Sequence, residues 1–202
     1  NNSIRLRRND RKILKIIQCK SPKVVLLENV PGILQINNKG FIKKIIEFLQ
    51  ENNYDADYKI INGLYFVPQN RRRVYIIGIK RNSTNAHKKQ VSQILQDVTK
   101  DKKLVAVSSK FYKRESSTHI KVYTGYCYTL TASMYLSGSL PYVNDNGDFR
   151  KLTIRECARL MGLPDDFHFP INDKDAYRLI GNSVIVPVIK EIANILISNK
   201  YL

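Results

Sequence analysis

Several things are scarce in this sequence, and each scarcity removes a class of protein. Its three cysteines, Cys19, Cys127 and Cys157, lie far apart, which argues against a disulfide framework and against a zinc site built from closely spaced pairs. No metal-ligand set is expected. No stretch reaches the roughly 18 uninterrupted apolar residues of a membrane-spanning helix. The stretch Asn1 to Arg11 is basic and polar, without the apolar centre of a secretion signal, so a cytosolic location is the default expectation. There is neither an internal repeat nor a low-complexity tract. Acidic residues are also few: 17 Asp and Glu stand against 34 Lys and Arg, a net charge of +17 over 202 residues.

That imbalance suits a polyanionic partner. The excess is concentrated. Residues 1 to 23 hold eight Lys or Arg against one acid, and residues 81 to 122 hold ten against three. Charge alone leaves a second reading open, a lysine-rich composition spread over solvated faces. With 43% hydrophobic residues the chain is long enough for one domain with a sizeable core and a smaller second module.

Apolar periodicity predicts a short helix around Ile13 to Ile17, ended by Ser21-Pro22, since a proline disfavours helix at the residue before it. The continuous run Lys23 to Leu27 reads as a strand buried on both faces, as in a parallel sheet. It stops at Glu28-Asn29, and in open α/β sheets ligands bind at the carboxyl ends of strands. A helix over residues 40 to 50 places Phe41, Ile42, Ile45, Phe48 and Leu49 on one side. Strands follow near Asp57 to Ile61 and at Val74 to Ile79. The order strand, helix, strand, strand predicts half of a doubly wound sheet with an antiparallel edge pair.

Between Arg81 and Gly147 the periodicity fades into Ser, Thr, Tyr, Lys and Asn, the composition of a loop-rich module. Its tyrosines interleave with basic and hydroxyl residues, a mix suited to phosphates and base edges, although each could equally be core of a small β module. Thr153 and Glu156 have capping-box spacing before a helix that ends at Gly162-Leu163-Pro164. A final helix is expected after Gly181-Asn182-Ser183, with Ile185, Val188, Ile192 and Leu196 on one face and Pro187 in its first turn.

Four patches in fixed order resemble the cytosine-C5 DNA methyltransferases: Glu28-Asn29-Val30, Gln69-Asn70-Arg71-Arg72-Arg73, Thr153 to Phe167, and Gly181-Asn182-Ser183-Val184. Singly each is weak, but their order around a variable basic module is hard to produce by chance. The resemblance covers about residues 20 to 198. It implies an α/β fold: the C-terminal half of a Rossmann-like methyltransferase sheet with an inserted, loop-rich β target-recognition module. The expected division is a partial catalytic domain over residues 1–80, a DNA-reading domain over 81–150, and a helical return over 151–202.

The resemblance also implies roles. In this family a cysteine thiolate adds to C6 of a cytosine flipped out of the duplex, and the ring then takes a methyl from S-adenosylmethionine. Glu28 matches the residue that protonates or hydrogen-bonds N3, and Arg73 the one that binds O2 and steadies the cysteine loop. Arg71 matches a supporting residue. Arg72 falls at a variable position and reads as a surface or phosphate-facing charge. Asn29 either fixes the loop as a turn former or touches the base. Asn182 and Ser183 match residues holding the carboxylate of the cofactor, with an ordinary helix cap as the alternative for Ser183. Arg155, Glu156 and Arg159 read as structural. Thr129, Leu130 and Thr131 resemble the Thr-Leu element that faces DNA near the flipped base.

The family's Gly-rich cofactor loop, ribose-binding acid and Pro-Cys nucleophile loop have no counterpart in these residues. Cys19 follows Gln18 rather than a proline and ends a predicted helix, so it is a poor substitute. Two arrangements fit: a subunit of a split enzyme, forming an obligate heterodimer with a chain that carries the missing loops, or a fragment of a longer chain. A non-catalytic DNA-binding or regulatory module of the same fold is the alternative, and RNA a further substrate to test. Double-stranded DNA is the expected partner, with no membrane, and the location is then cytoplasmic, with the nucleoid.

Overall fold

The computed structural model describes residues 8–35, 40–81, 90–114 and 119–202. Parts of both basic regions, residues 1–7, 82–89 and 115–118, lie outside the described residues. Two compact units form, neither continuous in sequence. The first comprises the chain up to Ile61, Arg72–Lys100 and Glu191–Leu202; the second comprises Asn62–Arg71 and Asp101–Lys190.

In the first unit, α1 (Arg8–Lys20) leads into β1 (Val24–Asn29), α2 (Phe41–Glu51) and β2 (Tyr54–Asn62). The chain then passes through β3 (Gln69–Asn70) of the second unit and returns as β4 (Arg72–Lys80) and α3 (Val91–Asp97). The sheet order is β1-β4-β2. As the middle strand, β4 is covered on both faces: Val74, Tyr75, Ile76 and Ile77 are each at most 1% exposed. α2 buries Phe41, Ile42, Ile45 and Leu49, the amphipathic face read from the sequence.

The strand expected to be buried on both faces differs from expectation. β1 runs antiparallel to β4 and, Val25 apart, is half-buried. Among the described residues it pairs with β4 alone, at the end of the sheet. Leu26 and Leu27 therefore line an apolar groove of about 220 Å³ together with Ile13, Leu14, Phe41 and Ile45. On α1, Leu14 and Ile17 are buried while Ile13 and Ile16 are exposed.

The second unit holds β3 beside β7 (Cys127–Tyr128), in parallel, and a four-stranded antiparallel sheet. That sheet contains β5 (Lys110–Arg114), β6 (Ile120–Thr124), β8 (Tyr142–Asp145) and β9 (Asp148–Lys151), in the order β6-β5-β8-β9. These strands form the β module expected in that region. Asn146 and Gly147, at φ of 54° and 104°, make the two-residue turn of the β8–β9 hairpin. Next come α4 (Ile154–Leu160), α5 (Asp173–Asn182) and α6 (Val186–Ser198). The capping box is present: Thr153 Oγ1 accepts from Glu156 N–H, and Glu156 Oε2 accepts from Thr153 N–H at 2.8 Å. Gly162 sits at φ 76°, and a Cβ there would overlap the ring of Pro187, so the residue is confined to glycine on both counts. No single helix among the described residues is long and apolar enough to cross a membrane.

The units are cut differently from the expected 1–80, 81–150 and 151–202. α3 buries Val91, Ile94 and Leu95 and packs on β4, which moves the boundary from about 81 to about 100. Residues 151–190 fold with the β module, because Arg150 of β9 holds Glu156 of α4 through two bonds of 2.9 Å, and Tyr177 Oη of α5 donates to Leu152 O at 2.8 Å.

The hydrogen bonds from Arg150, aided by those from Thr153, hold the Glu156 carboxyl at about 2 against an ordinary value of 4.5. A depressed carboxylate contributes stability that is whole above the unfolded value and fades as pH falls toward the folded one. Glu156→Gln should therefore lower stability at neutral pH and flatten the loss between about pH 4.5 and 2, checked by urea titrations across that range. In the first unit, Ile77→Ala should cost about 2–5 kcal/mol, whereas exposed Ile16→Ser should stay within about 0.5 kcal/mol. Denaturant midpoints compare the two.

Candidate active site

The register of β1 against β4 pairs Asn29 with Val74, so the carboxyl end of β1 lies beside the amino end of β4. Glu28 and Arg73 meet there: Arg73 Nε is 3.0 Å from Glu28 Oε1, with the two side chains 12% and 24% exposed. Arg73 Nη1 also donates to Arg72 O at 2.8 Å. The pair sets an acceptor next to a charged donor, and Glu28 and Asn29 also help to line the groove. Asn29 Oδ1 accepts from Val30 N–H at 2.9 Å, the turn-forming role left open by the sequence. The chain then turns through Pro31–Leu34. Arg72 is exposed, in keeping with its reading as a surface charge.

In the second unit Arg71 is a buried clamp, 2% exposed. Its Nη1 donates to Leu130 O at 2.7 Å, and its Nη2 to Gly181 O at 3.0 Å and Ser183 O at 2.7 Å. One guanidinium thereby ties together the segments expected to face DNA and to hold the cofactor. Gln69, fully buried and given no role by sequence reasoning, adds a second tie. Its Nε2 donates to Leu160 O at 2.8 Å and its Oε1 accepts from Leu130 N–H at 3.1 Å. A buried glutamine satisfied at both ends is costly to replace; the sequence marks it as the first residue of the Gln69 to Arg73 patch without showing what it binds. Gly181 packs so tightly on Thr131 and Ala132 that a Cβ would overlap their backbone.

The three residues expected to face DNA divide. Leu130 is 1% exposed, with both its N–H and its C=O bound inside, so its side chain belongs to the core. Thr129 is half-buried and its Oγ1 donates to Asn70 O at 2.6 Å. Thr131 is exposed.

Asn182 is exposed in the last turn of α5, and Ser183 follows as its C-cap, with Oγ donating to Ile180 O at 3.1 Å. Ser183 thus ends α5 instead of opening α6, because a helix that sequence reading did not anticipate comes directly before it. The amide and hydroxyl are suitable donors for one carboxylate, and Arg71 fixes the carbonyl beside them. That donor set fits one end of S-adenosylmethionine and no more of it.

Burial raises the thiols of Cys127 and Cys157, the latter to about 12, so both are protonated and neither is poised as a nucleophile. Cys19 is exposed in the last turn of α1. Arg155 and Arg159 take structural partners: Arg155 Nη1 donates to Pro164 O at 3.2 Å, and Arg159 pairs with Asp165 at 2.7 Å.

Solved methyltransferase structures share this fold. A DNA modification methyltransferase encoded in an E. coli prophage superposes with a TM-score of 0.63 at 19% identity, covering 94% of this chain and 73% of its own. The Dnmt2 methyltransferase of S. pombe also gives 0.63, at 17% identity, over 90% of this chain and 68% of its own. Similarity at that level establishes the fold. Residues 11–129 and 85–198 match the C-5 cytosine-specific DNA methylase family, and the chain belongs to that family. Among curated relatives, the type II methyltransferase M1.ScrFI of Lactococcus lactis subsp. cremoris is 35% identical over 90% of this chain and 53% of its own length. M.SsoII of Shigella sonnei is 34% identical over 92% of this chain and 56% of its own. The chain thus spans little more than half the length of these two relatives.

Arg71→Met should destabilise the protein by at least ~3 kcal/mol, because it leaves three carbonyls without their charged donor. Exposed Arg72→Ala should shift stability by no more than about 0.5 kcal/mol. Urea unfolding of both variants checks the contrast.

Proposed function

We propose that this chain is the base-holding and DNA-reading part of a DNA cytosine-C5 methyltransferase, with the nucleophilic cysteine and the glycine-rich cofactor loop supplied by polypeptide outside these 202 residues. A partner subunit in a heterodimer, or a preceding segment of the same chain, would serve equally. The observation that carries the reading is the Glu28–Arg73 pair at 3.0 Å in a chain of this family.

The edge of a flipped cytosine offers a ring nitrogen, N3, beside a carbonyl, O2. Glu28 would hold a proton at N3, and Arg73 would donate to O2, relieving the negative charge that builds on the ring when a thiolate adds at C6. Both side chains are largely buried and paired with each other, which limits the reorganisation needed as the charge develops. Arg71 positions the Leu130 and Ser183 backbones without touching the base. Asn182 and Ser183 would bind the carboxylate of S-adenosylmethionine, which supplies the methyl group when bound. Thr129 and Thr131, with the β module, would contact duplex DNA. The exposed Ile13 and Ile16 and the apolar groove beside β1 support a complementary polypeptide covering that face. The assembly would work in the cytoplasm with the nucleoid's DNA, as the methyltransferase of a restriction-modification system, a reading supported by the type II methyltransferases among its relatives.

Transfer of labelled methyl from S-adenosylmethionine to duplexes of varied sequence tests this. The chain alone should transfer nothing; mixed with a family segment bearing the Pro-Cys and glycine-rich loops, it should methylate cytosine. A confirmed complex that binds DNA yet transfers no methyl would refute the enzyme reading in favour of a non-catalytic DNA-binding module, and methylation confined to RNA would refute the DNA one.

A further inference from the structure

Away from the β module, the helical part of the second unit leaves a group of apolar side chains uncovered. α5 buries Ala176, Tyr177 and Ile180, while Leu179 is 48% exposed. The loop before α5 carries Phe167 and Ile171, each 42% exposed, and Phe167 meets Phe169 edge to face at 5.0 Å. Together with Leu163 and Ile180 these residues line a pocket of about 370 Å³.

Its wall is tied down along its length. Leu163 N–H donates to Ala158 O at 3.0 Å, Phe167 N–H to Pro164 O at 3.1 Å, and Ile171 N–H to Phe169 O at 2.8 Å. Arg155 and Arg159 of α4 hold the same loop at Pro164 O and Asp165, and the Asn172 side chain caps α5 at the loop's other end. A pocket fixed by such bonds is formed before its occupant arrives.

Two kinds of occupant do not match it. Residues 163–183 hold four acids against two Lys or Arg, in a chain of net charge +17, so nucleic-acid phosphates are poorly received there. S-adenosylmethionine has more polar groups than the walls can serve, since only His168 and Ser183 bring polar side chains. An apolar polypeptide surface does match. Ser183 indicates which one, because it lines this pocket and also belongs to the donor pair assigned to the carboxylate of the cofactor. The glycine-rich loop that would enclose the same molecule comes from polypeptide outside these residues, the chain spanning 53% of the length of M1.ScrFI. Glycines have no side chains with which to fix a loop, so such a loop takes its position from the packing of the residues that flank it.

We propose that this pocket seats apolar side chains flanking the glycine-rich loop of the complementary polypeptide, and so holds that loop against Ser183. Leu179 and Phe167 are then positioning residues for the cofactor, which they do not touch. The inference rests on the reading given under Proposed function, and it adds to the groove beside β1 a docking point in the second unit. The consequence is specific: cofactor affinity depends on an apolar surface that binds no cofactor.

The test pairs the full chain with the family segment bearing the Pro-Cys and glycine-rich loops. Association is measured by titration calorimetry, and methyl transfer to duplex DNA is followed against S-adenosylmethionine concentration. The unaltered chain is compared with a polar variant, Leu179→Gln with Phe167→Ser, and an apolar one, Leu179→Met with Phe167→Leu. The polar variant should bind the segment at least ~10-fold more weakly. With the segment in saturating excess, its KM for S-adenosylmethionine should rise at least ~5-fold while kcat stays within about twofold, the split expected when positioning is lost and chemistry kept. The apolar variant should match the unaltered chain. Unchanged association, weaker association with an unchanged KM, or equal loss in the apolar variant would overturn the inference. A lowered urea midpoint of the polar variant alone would assign both residues to the chain's own folding and overturn it too. So would self-association of the unaltered chain that the polar variant abolishes, which gives the pocket to a second copy. No association of the unaltered chain with the segment, or no transfer by their complex, would instead strike the reading under Proposed function.

Discussion

Antiparallel pairing of β1 with β4 decides where two charged side chains meet. With Asn29 opposite Val74, the last residues of one strand lie against the first residues of the other, and Glu28 reaches Arg73 at 3.0 Å. A slip of one residue would turn Glu28 to the other face of the sheet. The register is held by burial: Val74 to Ile77 are covered on both sides, so sliding β4 would expose a run of apolar side chains. The geometry of a few polar atoms thus depends on the apolar stretch that follows Arg73 in the same strand.

The segment from Gln69 to Arg73 divides its work by position. Gln69 and Arg71 point into the second unit and bind backbone groups of Leu130, Leu160, Gly181 and Ser183. Arg72 is exposed, and Arg73 turns to Glu28 in the first unit. Alternation along an extended chain separates exposed Arg72 from its two neighbours, and the different partners of Arg71 and Arg73 mark where the chain passes from the second unit to the first. Three arginines in a row therefore do three different things: clamp, surface charge and ion-pair partner.

Much of this was legible in the sequence, for physical reasons that differ by element. The capping box at Thr153 and Glu156, the amphipathic face of α2 and Pro187 in the first turn of α6 are local effects, and local sequence reports them. Burial was not legible in the same way. Val24 to Leu27 and Val74 to Ile79 are both continuous apolar runs, and composition does not separate an edge strand from a central one. The β8–β9 hairpin did have a signal, Asn146-Gly147 between two short runs, hidden by the polar surroundings. α5 had one too, the cap at Asn172, but its sequence is polar overall, which hid its amphipathic face. In sequence Leu130 reads as part of a DNA-facing element because Thr129 to Thr131 resembles the family's Thr-Leu element; its long-range bonds to Gln69 and Arg71 anchor its backbone, and its side chain is buried.

The central claim is that Glu28 and Arg73 act on the base itself. Single-turnover methyl transfer by the completed assembly, with Glu28→Gln and Arg73→Ala compared at saturating DNA, addresses it most directly. The account predicts rates lower by about 10²-fold or more, with the DNA affinity of the chain little changed. Rates within a few-fold of the unaltered protein would contradict it.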